Sequence, residues 1–287
     1  MIPTSLENTL TAAVRIAREA GKVILPFFHQ EGAHRVKADH SPLTEADLAS
    51  HAFLVEALGR LTPSLMVVSE ESADREIPAS LVDACWLIDP LDGTKEFIKG
   101  NPQFTVNVAL MNGPNPLLGV VHVPASELTY YAQRGRGAWR QEHEAPAVPI
   151  RTRSANPNRL TVVASADHSG PLVKRLLQRL SSPEVTSIGS SLKFCLIAEG
   201  SADLYLRDGP TMEWDTAAAQ CVLEAAGGLV LEPGGAPLCY GKAGLKNSSF
   251  VALGDPALKW NGPTPASEVT RVLRDLFHSS QDRLQQK

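Results

Sequence analysis

The sequence predicts an α/β protein built in two unlike halves. Three observations carry this. Two amphipathic helical patterns open the chain, a cluster of short apolar strands with brief turns follows to about residue 150, and strands then alternate with helices to about residue 253. The polar stretch from Gln141 to Asn158, with Pro146, Pro149 and Pro157, is the expected boundary, giving halves 1–150 and 151–287.

The elements follow from the pattern. Leu6, Leu10, Val14, Ala17, Ala20 and Ile24 recur at helical spacing and predict a helix stopped at Pro26. Leu48, Ala52, Val55 and Leu58 define a second helix over Leu43–Leu61, with Thr44 as its N-cap. Strands are expected at Leu65–Val68, Cys85–Ile88, Thr105–Leu110, Leu117–Val123 and Leu128–Ala132, and the short turns between them suggest an antiparallel sheet. In the second half, strands are expected at Leu160–Val163, Val185–Ile188, Ala202–Leu206, Leu229–Leu231 and Phe250–Leu253. Helices are expected at Leu172–Leu180, Ser191–Glu199 and Thr216–Ala226, the last closed by Gly227 and Gly228. The tail from Ser279 to Lys287 is polar and reads as frayed.

Composition narrows the partners. A net charge of −4 gives no general attraction to nucleic acid, so an anionic ligand needs a cation or a local basic patch. No stretch of about 18 apolar residues would span a membrane. Glu7 and Asn8 near the start do not suit a secretory signal. The 4 cysteines, Cys85, Cys195, Cys221 and Cys239, form no CxxC pair and read as free thiols in a reducing compartment, so the cytoplasm is expected.

The most informative run is Trp86-Leu-Ile-Asp89-Pro-Leu-Asp92-Gly-Thr94-Lys-Glu-Phe97. An apolar strand ends at one carboxylate, turns at Pro90 and presents a second three residues on. Carboxylates held this close repel unless a cation lies between them, and hard divalent cations such as Mg²⁺ take oxygen ligands together with substrate phosphate. The run predicts a metal-assisted phosphoryl site. An aspartate-nucleophile phosphatase places its two aspartates two residues apart with no proline between, and an EF-hand needs a longer ladder of oxygens. Glu70, after the Met66–Val68 run, and Asp215, after Trp214, also stand at element ends, where sites are built in α/β proteins. Each alone is as well explained by a loop or a helix cap. Gly189, Ser190 and Ser191 fall at a strand-to-helix junction, where free backbone N–H groups could meet an anion and Lys193 could add charge, though plain capping explains them as well. Lys95 and Arg207 lie beside candidate segments, and His168 is the one histidine retained as a substrate-contact candidate.

At these residues the chain resembles the inositol monophosphatase superfamily over most of its length. The pieces occur in family order: Ser69-Glu70-Glu71, Asp89-Pro-Leu-Asp92-Gly-Thr94, Gly189-Ser-Ser, and Trp214-Asp215-Thr-Ala-Ala218 followed by Gly227-Gly228. Thr94-Lys-Glu-Phe97 and Gly189-Ser-Ser-Leu-Lys-Phe194 resemble the bacterial CysQ branch of 3′(2′),5′-bisphosphate nucleotidases.

The resemblance implies a layered α-β-α-β-α sugar-phosphatase fold, like that of inositol monophosphatase and fructose-1,6-bisphosphatase, and Mg²⁺-dependent release of the 3′-phosphate of adenosine 3′,5′-bisphosphate. It implies one Mg²⁺ on Glu70, Asp89 and the Leu91 carbonyl, a second on Asp89, Asp92 and Asp215, and room for a third beside Glu70. Thr94, with Asp47 or Glu70, would orient and deprotonate the attacking water. Asp47 sits in Ser41-Pro-Leu-Thr44-Glu-Ala-Asp47, which matches the family's Thr-x-x-Asp segment. The implied substrate contacts are Glu70, Leu91, Asp92, Gly93, Thr94, Lys95, Gly189, Ser190, Ser191, Lys193 and Asp215. The resemblance also implies Li⁺ sensitivity, and some relatives touch the inner face of a membrane. It leaves oligomeric state open.

One departure bears on the nucleotide: the branch often has Ser-Arg-Ser-His where this chain has Ser165-Ala-Asp-His168. The alternatives are an inositol or sugar monophosphatase on the same metal site and, more remotely, a non-catalytic metal- and nucleotide-binding regulator.

Overall fold

The computed structural model describes residues 3, 5–29, 35–36, 42–72, 84–164, 170–258 and 270–277. The Ser165 to His168 segment and the Ser279 to Lys287 tail fall outside the described residues. In chain order the first part runs α1 (Leu6–Ile24), β1 (Arg35–Val36), β2 (Pro42–Leu43), α2 (Glu45–Leu61), β3 (Met66–Ser69), β4 (Cys85–Asp92), α3 (Thr94–Ile98), β5 (Thr105–Asn112), β6 (Asn115–Val123), β7 (Leu128–Gln133), β8 (Gly137–Glu142) and β9 (Val148–Ile150). It continues β10 (Thr161–Ala164), α4 (Pro171–Arg179), β11 (Glu184–Ser187), α5 (Leu192–Ala198), β12 (Leu204–Arg207), β13 (Thr211–Met212), α6 (Ala217–Ala225), β14 (Leu229–Leu231), β15 (Lys246–Asn247) and β16 (Phe250–Leu253), with a further helical segment over 270–277.

Strands β3 to β9 lie in sequence order in one seven-stranded sheet, and a five-stranded sheet has the order β11-β10-β12-β16-β14. Because side chains alternate across a strand, each sheet buries both faces. On one face of the large sheet Trp86, Ile88, Val106, Val108, Leu110, Leu118 and Val120 pack with Leu10, Ala13, Ala17, Leu54 and Leu58 of α1 and α2. On the other, Leu87, Ala109, Val121 and Ala132 meet α5 and α6 through Phe194, Ile197, Ala218 and Val222. The same core continues into the small sheet through Val163, Tyr205, Val230, Phe250 and Ala252. The outer face of that sheet packs Val162, Leu204 and Val251 against Val173 and Leu176 of α4 and Leu273, Leu276 and Phe277. The layers are therefore helix, sheet, helix, sheet, helix. The helices α5 and α6, from the second half of the chain, are shared between both sheets.

Local chemistry sets the element ends. Ser5 caps α1, and Pro26 falls in the 3₁₀ turn that ends it. Thr44 caps α2 in a reciprocal capping box with Asp47. Helix α6 closes at Gly227 (φ +109°), with Gly227 N–H on the Glu224 carbonyl at 3.1 Å and Gly228 N–H on that of Leu223 at 3.0 Å, the Schellman pattern that requires a left-handed residue.

Two expectations need correction. The large sheet is not wholly antiparallel, because β3 pairs parallel with β4. Strand β4 does not stop at Ile88 but runs on to Asp92 past an irregularity between Asp89 and Asp92, where Pro90 has no N–H to give the ladder. Within the proline-bearing stretch Val148–Ile150 forms the last strand of the large sheet, since an edge strand tolerates proline. The five-residue helix α3 was too short to show a period.

Helix α6 lies so close on β6 that only glycine fits at the crossing. A Cβ on Gly119 would overlap the Ala218 carbonyl oxygen and come within 2.7 Å of Cys221 Cβ. Gly119→Ala is expected to cost about 2 kcal/mol or more in denaturant unfolding. Gly59→Ala in α2, where an added Cβ meets nothing within 4 Å, should stabilise by about 0.5–1 kcal/mol.

Candidate active site

The site forms where β3 and β4 end together. Ser69 pairs with Ile88, and the Glu70 N–H donates to the Ile88 carbonyl at 3.2 Å, so Glu70 leaves its strand beside Asp89. Asp215 comes from the 3₁₀ turn Glu213–Asp215 that leads into α6, and it accepts the Met212 N–H at 2.8 Å. Glu70, Asp89 and Asp215 each offer an oxygen, and the three oxygens lie within 4.8 Å of one another. Asp92 stands next to this group across the irregular end of β4.

Burial first, and then the negative charges of Glu70, Asp92 and Asp215, push the Asp89 carboxyl well above its usual range. Burial, with Asp92 and Glu70, does the same to Asp215. Asp92 is also raised, chiefly by burial, with Lys193 and the Ser191 N–H working against the shift.

Thr94 and Asp47 form the second part of the site. Gly93, at φ +94°, turns the chain from β4 into α3 in a conformation that strains any other L-residue. The turn sets Thr94 Oγ1 3.2 Å from Asp47 Oδ1 and 3.2 Å from the Leu91 carbonyl. Asp47 is buried, and its other oxygen accepts the Thr44 N–H at 2.7 Å and the Thr44 hydroxyl at 2.5 Å. The capping box of α2 thus fixes the Asp47 carboxylate with Oδ1 toward Thr94. Ser50 Oγ donates to the Pro90 carbonyl at 2.9 Å and pins the turn to the same helix.

Beside the carboxylates is a cavity of about 150 Å³, reached by Gly93, Lys95, Ser190, Lys193 and Arg207. Lys95 is exposed at its rim. Lys193 is buried and donates to the Ser190 carbonyl at 2.7 Å and the Ile188 carbonyl at 3.3 Å. Burial lowers its ammonium to about 8 despite the nearby Asp92. Arg207 donates to the Pro210 carbonyl at 3.3 Å, while its buried Nε has no hydrogen-bond partner among the described residues. The aromatic rings of Phe194, Tyr205 and Phe250 pack on one another at the cavity wall.

The Gly189–Ser191 segment differs from a free anion cradle. The Gly189 N–H is taken by Gln103 Oε1 at 2.9 Å and the Ser191 N–H by Asp92 Oδ2 at 2.6 Å. Sequence reading also missed Thr105, Asn107 and Gln103, which hold this segment. The available signal was two polar residues in the otherwise apolar run of β5, Thr105-Val-Asn107-Val-Ala-Leu-Met.

The five-layer fold and the carboxylate group at the end of β4 define the class. The sequence profile of the inositol monophosphatase family matches residues 5–259, and the chain belongs to that family. Within it, the chain is 45% identical over 235 residues to the 3′(2′),5′-bisphosphate nucleotidase CysQ of Escherichia coli O157:H7, a match covering 80% of this chain and 93% of that protein. It is 44% identical over 235 residues to CysQ of Salmonella typhimurium, with the same coverage. The crystal structure of CysQ from Bacteroides thetaiotaomicron superposes with a TM-score of 0.75 at 34% identity, covering 88% of this chain and 99% of that one. No helix among the described residues is long and apolar enough to cross a membrane.

The raised carboxyls have a consequence for stability. A carboxyl whose folded pKa exceeds its unfolded value of 3.8 stabilises most below that value, and the contribution is lost as pH rises through the folded pKa. In chelator, melting temperature is therefore expected to fall as pH rises from about 5 to 8, beyond any trend in an Asp89→Asn control. A divalent cation should restore more stability at the upper end, because its binding must displace protons.

Proposed function

We propose that the chain is a Mg²⁺-dependent 3′(2′),5′-bisphosphate nucleotidase. It takes the 3′-phosphate from adenosine 3′,5′-bisphosphate, or from the phosphosulfate analogue, and gives phosphate with AMP or the corresponding adenylyl sulfate. The observation that carries this reading is the 45% identity to a curated enzyme of that name, over 93% of its length.

The donor set fits the metal. Three carboxylate oxygens within 4.8 Å, on groups whose burial opposes charge, are hard ligands in need of a hard cation. Glu70, Asp89, Asp92, Asp215 and the Leu91 carbonyl would hold two ions, with a third beside Glu70. Bound Mg²⁺ neutralises phosphate charge, acidifies water and stabilises the leaving oxygen.

The chain's own residues do the rest. The Thr94 hydroxyl donates to Asp47, which turns the threonine oxygen's lone pairs toward a water. That oxygen then accepts the water's proton while its own proton passes to Asp47. Water attacks phosphorus in line, the bond to the 3′-oxygen breaks, and no covalent enzyme intermediate forms. Lys95, Lys193 and Arg207 supply positive charge around the cavity for a second phosphate. The Arg207 charge at this wall takes the place of the arginine absent at Ala166. An inositol or sugar monophosphate offers no second phosphate to it, and a regulator without turnover has no use for the Thr94–Asp47 pair. The buried free thiols of Cys85, Cys195 and Cys221 suit the cytoplasm as the working compartment. A peripheral contact with the inner membrane rests on the resemblance alone.

With Mg²⁺ present, phosphate release should favour adenosine 3′,5′-bisphosphate over inositol 1-phosphate and fructose 1,6-bisphosphate by more than about tenfold in kcat/KM, roughly 1.4 kcal/mol. A preference for either of the others would keep the metal chemistry and discard the nucleotide. Asp89→Asn should lower kcat by about a thousandfold or more while the protein stays folded by circular dichroism. Near-normal turnover of that variant at saturating Mg²⁺ would overturn the site assignment.

A further inference from the structure

Asp92 is held by a buried polar network that nothing in the family assignment requires. Its Oδ2 accepts the Ser191 N–H at 2.6 Å, the Asn107 side-chain amide at 3.3 Å and has the Thr105 hydroxyl at 3.4 Å. Thr105, Asn107 and Ser191 are all at most 2% exposed. Among the described residues, Oδ1 of Asp92 accepts no hydrogen bond.

The protons of this network can be ordered. Ser191 Oγ lies 2.7 Å from Asn107 Oδ1, which only accepts, so the serine hydroxyl must donate there. Its lone pair is then free for the Thr105 hydroxyl at 2.9 Å. The Asn107 amide therefore has one orientation, oxygen toward Ser191 and nitrogen toward Asp92. A flipped amide would set its oxygen against the Asp92 carboxylate, two acceptors with no proton between them. Register explains why Asn107 can reach: on β5 it pairs directly with Asp89, and Thr105 pairs with Asp92. One asparagine on β5 thus touches the carboxylate of one half of the chain and the N-cap of α5 from the other.

We propose that Asn107 is a positioning residue for the cation site. Together with the Ser191 N–H it occupies Oδ2 of Asp92 so that Oδ1 is the oxygen offered to the ion, and by accepting from the Ser191 hydroxyl it fastens the Ser190–Lys193 wall of the cavity to that choice. Partners that orient metal-binding side chains commonly carry ten- to a hundredfold in metal affinity. The inference rests on the Mg²⁺ reading of the carboxylate site.

The test is calorimetric titration of the purified protein with Mg²⁺ alone, without substrate. Asn107→Ala should raise the Mg²⁺ dissociation constant about tenfold or more. Val108→Ala, which thins the same strand on its other face, should lower the melting temperature and leave the Mg²⁺ constant unchanged. Should Asn107→Ala fail to fold, Thr105→Val keeps the shape, removes the hydroxyl that donates to Ser191 Oγ in the same network and should raise the constant about threefold. A folded Asn107→Ala protein within twofold of wild type, an unmoved Thr105→Val, or an equal shift in Val108→Ala overturns the proposal. Wild-type protein that binds Mg²⁺ but spares the nucleotide defeats the nucleotidase reading and leaves the role of Asn107 standing. Wild-type protein that binds no Mg²⁺ defeats both.

Discussion

The constraint on which this structure depends is the mutual repulsion of carboxylates packed at one end of a sheet. Glu70, Asp89 and Asp215 hold oxygens within 4.8 Å of each other, with Asp92 alongside, and burial adds to the cost of their charge. A protein folded without regard to a ligand would separate such groups or replace them. Here the surrounding fold over-determines their positions, so the cost is carried by the cores around them. On the proposed reading that cost returns as affinity for a divalent cation, and the proton is its competitor.

The fold explains how the repulsion is contained. Asp89 and Asp92 ride on a strand buried on both faces, between the α1–α2 layer and the α5–α6 layer. Asp215 arrives on the turn that starts α6, and α6 is clamped to β6 at Gly119 and Ala218. The helices that bring the last carboxylate and the cavity wall are thus the ones that weld the two sheets together. Site and core cannot be perturbed separately, which is why a structural control such as Val108 is needed to isolate any residue's effect on the ion.

Much of this was legible in the sequence because it is local. Asp89, Asp92, Gly93 and Thr94 lie on one turn, so spacing placed them, and Thr44 was legible as a helix cap; Asp47, three residues further on, was given by the family resemblance. The long periodic helices and the apolar strands were legible for the same reason. What could not be read depends on residues far apart in the chain. The parallel pairing of β3 with β4 is decided by packing under α2, and the engagement of the Gly189 and Ser191 N–H groups by Gln103 and Asp92. Free donors at a helix start are a sound inference only when no distant acceptor is folded against them.

That failure is itself informative about how the cavity is organised. Had the Gly189–Ser191 N–H groups been free, the segment would act as an anion cradle whose position depended on its ligand. With Ser191 bound to Asp92 and Lys193 turned back on the Ser190 and Ile188 carbonyls, the wall is positioned before any ligand arrives. Arg207, at the end of β12, adds a guanidinium to the cavity lining, one arm of it on the Pro210 carbonyl. Two kinds of charge therefore face one small cavity: carboxylates in want of a cation, and the cations of Lys95, Lys193 and Arg207, which favour an anion. A ligand with one phosphate to be cleaved among the metal-binding carboxylates and another to be held at a distance satisfies both at once.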